Sequence, residues 1–319
     1  MMHTRPTVLF AANRGYALTS SRTGLIEHFL SKGWKVVIAT CNDSESQKLV
    51  RLGAILEPVN FRRGSLSPMR DAQSLWQLRR ALRIHRPNLV HLFHAKPVIF
   101  GSHLGRLTLG SNAKIVSTIT GLGRAISASA TAKLSAIGYR TALQKSDMTL
   151  FQNTDDRDLF VERNWVSKQK QQVIVGSGVS LSKFRNEPNI ADRALKVSIA
   201  TRLLKEKGIE DFVRVASEVK QKCPNAVFQI AGEVDASHPD AISLDWLQAQ
   251  TGIEFLGYVS DIPKLLAQTR VFLFPSVYRE GVPRCLLEAA ASGVPVIAYN
   301  VPGVREAVAH ERTGYLLEP

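Results

Sequence analysis

The chain has 319 residues, 45% of them hydrophobic and 21% charged, with a formal net charge of +14. That length and apolar content fit two globular domains, each with its own core, and no apolar run approaches the roughly eighteen residues of a membrane-crossing helix. The three cysteines, Cys41, Cys223 and Cys285, are scattered and form no CxxC pair, which argues against a disulfide frame or a zinc site and for a reducing compartment.

The charge is segregated. Residues 1–190 carry 27 Lys+Arg against 11 Asp+Glu, and residues 191–319 carry 14 against 16. A basic half points to an anionic surface: lipid, nucleic acid or a phosphorylated acceptor. General solubility also accounts for net charge, but not for its segregation. No recognition helix, RNP-like aromatic cluster or basic repeat favours nucleic acid. The start has no signal-peptide core; Val8–Ala12 reads as part of a first strand.

Thr7–Ala12 reads as a strand, Arg22–Lys32 as a helix stopped at Gly33, and Lys35–Thr40 as the next strand. This is the opening βαβ of a doubly wound sheet. The loop Asn13–Ser21 lacks a G-x-G-x-x-G fingerprint, which counts against a nicotinamide or flavin dinucleotide, and no cofactor is expected. Gln47–Leu52 reads as helix and Ile55–Pro58 as strand, followed by a basic turn at 61–65. Asp71–His85 reads as a helix with Leu75, Leu78 and Leu82 on one face. Arg79, Arg80, Arg83 and Arg86 crowd its other parts, with Trp76 nearby. Such a helix suits an anionic membrane surface, and equally a solvated face over an ordinary core.

Asn88–Phe93 reads as a strand running into His94, Lys96 and Pro97. His91 and His94 have no Cys, Asp or Glu close in sequence to complete a ligand set, so no metal is expected. His94 and Lys96 instead stand at a strand's carboxyl end, where parallel sheets bind ligands, though a structural histidine fits as well. Lys114–Ile119 reads as a strand, followed by Thr120, Gly121, Leu122, Gly123 and Arg124. Ala125–Lys145 reads as helix, Met148–Gln152 as strand, and Asn153 with Thr154 as the cap of a helix around Asp156–Asn164. A further strand follows at Gln172–Val175. Residues 180–194 are polar and Pro-containing, the expected linker between domains at 1–182 and 193–319.

The second half repeats the alternation. Strands are expected at Val197–Ala200, Ala226–Ala231, Ile253–Leu256, Val271–Phe274, Val294–Tyr299 and Thr313–Leu316. Helices are expected at Ile209–Cys223, Pro263–Gln268 and Arg284–Ser292. Arg202 and Lys207 flank the first strand-to-helix loop, where a diphosphate is neutralised as readily as a charge is solvated. Asp261 faces a nucleobase or caps the helix after it. Pro283 suits the first helical position, which leaves the N–H groups of Arg284 and Cys285 at an anion-favouring helix start. Glu280 in the loop and Glu288 in the helix suit neutral hydroxyls of a sugar or ribose better than phosphate. Spacing alone also admits a capping Glu and a solvated one.

The span Glu280-x7-Glu288, inside FPSVYREGVPRCLLEAAASGVPVIA, resembles the signature of family-four retaining glycosyltransferases with the GT-B fold. The YREG-P--LLEAAA variant is similar to bacterial members that build polysaccharide on a polyprenyl-diphosphate lipid. The resemblance implies an α/β architecture of two Rossmann-like doubly wound domains facing a cleft. It implies hexosyl transfer, with retention, from a nucleotide-diphosphate sugar, UDP in first place, to an undecaprenyl-diphosphate-linked saccharide in surface glycan assembly. It implies a peripheral location on the inner face of the cell membrane.

Carried over by position, Glu288 takes the nucleotide ribose and Glu280 a donor-sugar hydroxyl, with Gly281, Val282, Pro283 and Arg284 lining the sugar and phosphate site. Arg202 and Lys207 match the family's Arg…Lys-Gly pair for the donor phosphates, and Gly232 a loop beside the nucleotide. Gly15 is a further donor-site candidate, with a plain turn glycine as the alternative. His94 and Lys96 join Glu280 as catalytic candidates, and Arg22, Thr120, Gly121 and Gly123 line the acceptor side. Thr120 stands where other members have a conspicuous His, and Ser180 where Asp is usual. Family members end with helices returning to the first domain, so the chain is expected to lack its C-terminal helices. The rival readings are a GT-B-fold nucleotide-sugar epimerase and a basic nucleic-acid-binding protein.

Overall fold

Strands of a parallel sheet are covered on both faces and therefore read as continuous apolar runs. In a computed structural model, which describes residues 5–61, 67–122, 130–184, 190–235, 238 and 240–319, seven strands form one sheet, apolar at its centre and more exposed at its edges. They are β1 (Thr7–Ala11), β2 (Lys35–Thr40), β3 (Ile55–Pro58), β4 (Leu89–Phe93), β5 (Lys114–Ile119), β6 (Met148–Phe151) and β7 (Gln171–Val173). Every pairing is parallel, in the order β3-β2-β1-β4-β5-β6-β7. Val8 pairs with Val36 on one side and Leu89 on the other. Alternate residues of β1 serve opposite cores: Val8 and Phe10 pack with Leu18, Ile26 and Leu49, while Leu9 and Ala11 pack with Leu78, Leu82, Val98 and Phe160. The strand order reverses between β1 and β4, so their carboxyl ends flank a switch point.

The helix Ala95–Leu109 was not expected from the sequence. Pro97 and three glycines, Gly101, Gly105 and Gly110, disguise it. Pro97 lies in the first turn, where a missing N–H costs no helical bond. A Cβ at Gly101 would overlap Leu92, and one at Gly105 would press on Ile115. These glycines seat the helix close on the sheet. The stretch read as a loop, Asn13–Ser21, likewise holds a short helix, Gly15–Thr19. Ser44–Arg51 starts earlier than expected because Asp43 and Ser46 form a capping box, and Pro68–His85 starts three residues earlier, with Pro in its first turn. The basic turn at 62–65, Gly123, Arg124 and the start of the expected helix at 125 lie outside the described residues.

The second unit has six parallel strands: β8 (Lys196–Ala200), β9 (Val227–Ala231), β10 (Ile253–Gly257), β11 (Val271–Phe274), β12 (Val296–Tyr299) and β13 (Gly314–Leu317), in the order β10-β9-β8-β11-β12-β13. Ile199, Phe228, Ile230, Phe272, Phe274, Phe212 and Leu286 are among the residues of its core. Its switch point lies between β8 and β11. The division into compact units falls between Ser177 and Gly178. Phe184, inside the expected linker, ends a short helix, Leu181–Phe184, and belongs to the second core.

Candidate active site

At the switch point of the second unit the loops after β8 and β11 are stitched together. From β8 the chain runs through Thr201 and Arg202 to a 3-10 turn, Lys205–Lys207, and then to Gly208 in the left-handed region at φ 71°. The Glu206 carbonyl accepts from the N–H groups of Val277 at 3.0 Å and Tyr278 at 3.1 Å, and from the Ser276 hydroxyl at 3.3 Å. A Cβ at Gly208 would overlap the carbonyl oxygen of Pro275, so the two backbones meet only because residue 208 is glycine. Gly208→Ala is expected to cost about 2 kcal/mol or more through strain and overlap. A lowered urea midpoint checks this, and an unchanged midpoint would contradict it.

This stitch brings the Lys207 ammonium into an ion pair with Glu280. Lys207 is 2% exposed. Burial pulls its pKa down to about 7; Arg202 pushes the same way, while Cys285 and Glu206 oppose. Its Nζ lies 4.7 Å from the centre of the Tyr278 ring and 5.6 Å from that of Phe274. The Arg202 guanidinium lies 5.9 Å from the same Tyr278 ring. Among the described residues no carboxylate pairs with Arg202.

The helix Arg284–Ala291 follows the loop. Pro283 was expected as its first residue and is instead its cap, with φ −60° and ψ 120°, and no side chain caps this helix start. Glu288 is 8% exposed, and the Nε of Arg284, one turn back, lies 2.8 Å from its carboxylate. Burial raises the Glu288 pKa against the opposing pull of Arg284. Arg284 therefore turns its side chain to Glu288, and what the sequence offered to the sugar and phosphate site was the backbone N–H of this helix start. Gly281, Val282 and Pro283 are buried. Gly303, at φ 87°, lies so close to the Gly281 carbonyl that a Cβ there would overlap it. Gly232 follows β9 with its backbone against the Thr201 carbonyl. Asp261 accepts from the Lys264 N–H at 3.0 Å and caps the helix Ile262–Gln268.

Arg202, Lys207, Glu280, Arg284 and Glu288 are thus gathered in one unit. Two carboxylates are each paired with a cation, and the Arg202 guanidinium has no carboxylate partner among the described residues. Burial makes the charges of Lys207 and Glu288 act more strongly than they would in water. The arrangement can take an anion at the cations and hydroxyls at the carboxylates.

The first unit places its predicted residues around its own switch point. The Arg22 guanidinium lies 4.8 Å from the Phe93 ring centre, and one of its NH groups donates to the Ser21 carbonyl at 3.0 Å. Burial pulls its pKa down to about 10. His94 follows β4 with φ 70° and ψ 165°, a backbone conformation that costs a non-glycine residue on the order of 1–3 kcal/mol. Lys96, two residues on, is 2.5 Å from Asp71. His91 is buried with a ring nitrogen 2.8 Å from the Thr118 hydroxyl, and burial, then the charge of Arg22, pull its pKa down to about 3. It is a neutral structural histidine. The Gly15 N–H donates to Asp43 at 3.1 Å, and a Cβ at Gly15 would overlap that carboxylate. Its described contacts are those of packing. Thr120 and Gly121 follow β5, with Gly121 at φ 103°.

Tyr278 lies within the motif, but the sequence assigns it no role. The available signal was an aromatic residue two positions before Glu280 in a loop at a strand's carboxyl end. The contacts of Asp43 with Gly15 and of Asp71 with Lys96 were not legible either, since each joins residues more than twenty apart.

Two family models match the chain: "Glycosyl transferase 4-like domain" over residues 19–176 and "Glycosyl transferases group 1" over residues 194–319. The N,N'-diacetylbacillosaminyl-diphospho-undecaprenol alpha-1,3-N-acetylgalactosaminyltransferase of Campylobacter jejuni is 26% identical, over 96% of this chain and 83% of that protein. The UDP-Gal:alpha-D-GlcNAc-diphosphoundecaprenol alpha-1,3-galactosyltransferase of Escherichia coli is 26% identical, over 80% of this chain and 68% of that protein. Among solved structures, Anabaena HepE in complex with UDP-glucose superposes with a TM-score of 0.74 at 17% identity, over 98% of this chain and 85% of that one. Sucrose-phosphate synthase from Thermosynechococcus elongatus gives 0.76 at 17% identity, over 99% and 86%. These likenesses bear out the expected GT-B fold class of two parallel-sheet α/β domains.

Proposed function

Because the chain belongs to the group 1 glycosyltransferases, with a glycosyltransferase-4-like domain ahead of its group 1 domain, we propose that it moves a hexosyl group from a UDP-sugar to an undecaprenyl-diphosphate-linked saccharide, with retention. The observation that carries the reading is the gathering of Arg202, Lys207, Glu280 and Glu288 where β8 and β11 diverge. The acceptor class is that named for the two bacterial relatives.

A sugar leaving with a diphosphate needs its developing negative charge stabilised more than it needs a strong nucleophile. Arg202 and Lys207 serve the diphosphate, Glu288 the ribose hydroxyls and Glu280 a hydroxyl of the sugar. Gly232, Gly281, Val282 and Pro283 line the pocket by backbone. The leaving phosphate accepts the acceptor's proton, so no separate base is required on this side. Arg22, Thr120 and Gly121 serve the acceptor, with His94 held in a strained backbone at the end of β4. Retention is tested by proton NMR of the fresh product from an α-linked UDP-sugar. An α-linked product is expected, and a β-linked one overturns this part of the reading.

The enzyme works at an anionic membrane surface in this reading. The helix Pro68–His85 exposes Met69 and Trp76 among Arg70, Arg79, Arg80 and Arg83, the pattern of an element lying at a lipid interface. No helix among the described residues is long and apolar enough to cross a membrane.

A further inference from the structure

One aromatic ring in the second unit faces two cations. Lys207 and Arg202 approach the Tyr278 ring to 4.7 Å and 5.9 Å. Two like charges repel each other, yet an electron-rich face attracts both. Lys207 has further partners in Glu280 and the Phe274 ring. For the Arg202 side chain, the Tyr278 ring is the partner among the described residues. The ring itself is held at its root. The Tyr278 N–H donates to the Glu206 carbonyl and, at 3.2 Å, to the Ser276 hydroxyl, in the stitch that joins the two loops. Lys207 is one residue from Glu206 along the same 3-10 turn, so the backbone fixing the ring also fixes the lysine.

We propose that Tyr278 is a positioning residue whose ring holds Arg202 and Lys207 in place to receive the donor's diphosphate. The inference rests on the donor-site reading above and adds to it a residue that touches neither sugar nor nucleoside. Without the ring, Arg202 loses its described partner and swings into solvent, and ordering it again weakens diphosphate binding. The effect falls on the diphosphate alone, because Glu288 and the nucleoside do not depend on the ring.

The charged groups facing Lys207 are Glu280 and Glu206, from the two stitched loops, with Arg202 beside it and the Cys285 thiol from the helix behind. Taking away an attractive ring disfavours the ammonium further. Diphosphate affinity, which needs the protonated lysine, then begins to fall at a lower pH than in the parent protein.

The test compares Tyr278→Leu, which keeps bulk and removes the π face, with Tyr278→Phe, which keeps the face and removes the hydroxyl. Calorimetric titrations of the full chain with UDP and with uridine are run across pH. Thermal melts establish that both variants fold. Tyr278→Leu is expected to weaken UDP about tenfold, the scale of cation–π contacts, and leave uridine unchanged. Its affinity-against-pH curve moves to lower pH, and Tyr278→Phe follows the parent. In an Arg202→Ala background, the leucine substitution has a smaller effect than it has alone.

Tyr278→Leu binding UDP like the parent overturns the proposal. So does an equal loss in Tyr278→Leu and Tyr278→Phe, which assigns the effect to the hydroxyl, or an equal loss of uridine, which assigns it to general disruption. Failure of the parent protein to bind UDP, GDP or ADP overturns the donor-site reading, and this proposal falls with it. That outcome is distinct from the others because it appears before any substitution is made.

Discussion

Alanine at Glu280 is expected to lower sugar transfer by about 10³-fold, the scale of losing one group aimed at the reacting centre. Binding of UDP without its sugar changes much less, within about tenfold, because the phosphates have Arg202 and Lys207 and the ribose has Glu288. The fold survives for a specific reason. Removing one partner of a buried ion pair is costly when the other must stay charged. Burial already draws the Lys207 pKa down to about 7, so with Glu280 gone the unliganded lysine releases its proton and takes one up again when the diphosphate binds. A melting temperature within a few degrees of the parent, with transfer lost, is the expected pair of results. Full activity in Glu280→Ala would remove Glu280 from the site.

Methionine at Lys207 is expected to weaken UDP by about 10- to 100-fold, as charge-assisted hydrogen bonds to phosphate are lost. It also changes the pH dependence. An anionic ligand raises the pKa of a lysine it contacts. The parent therefore binds with full strength below about pH 7, where Lys207 is already protonated. Above that pH binding must take up a proton, and affinity falls by up to about tenfold per pH unit until the pKa of the bound state is reached. The methionine variant has no such proton to acquire. Its affinity stays flat over the range where the parent's declines. Calorimetry at about pH 8, in two buffers of different ionisation enthalpy, reads the uptake directly. Zero uptake by the parent would contradict the assignment of Lys207 to the phosphates.

Much of the fold was legible in the sequence because both sheets are parallel and buried. The strands at Lys35–Thr40, Lys114–Ile119 and Val271–Phe274 were read at their structural bounds, since apolar runs bounded by turn residues have few other uses. The helix Ala95–Leu109 was not legible. Its glycines break helix propensity locally, and their value appears only when Leu92 and Ile115 lie against them. The opening helix Gly15–Thr19 was hidden for a related reason: its first residue packs on Asp43, from a helix start 28 residues away.

The site divides in the same way. The residue types at Arg202, Lys207, Glu280 and Glu288 were readable from one motif and one loop. Their pairing was not. The motif offered Lys207 to phosphate and Glu280 to sugar; that these two side chains also pair with each other, and Arg284 with Glu288, was not legible. Such pairings depend on the Glu206 carbonyl holding the loop after β11, a contact between residues about seventy apart along the chain. His91 and His94 show the limit from the other side. They lie three apart on one strand end, yet one is buried and neutral against Thr118 while the other sits in a strained backbone at a helix start. No spacing rule separates those two fates.

The most direct measurement is calorimetric titration of the purified chain with UDP, GDP and ADP, repeated with Arg202→Ala and Glu288→Ala. The predicted result is tight binding of one of them, expected to be UDP, weakened at least about tenfold by either substitution. Binding of none, or binding indifferent to both substitutions, would contradict a donor site at the β8 and β11 switch point.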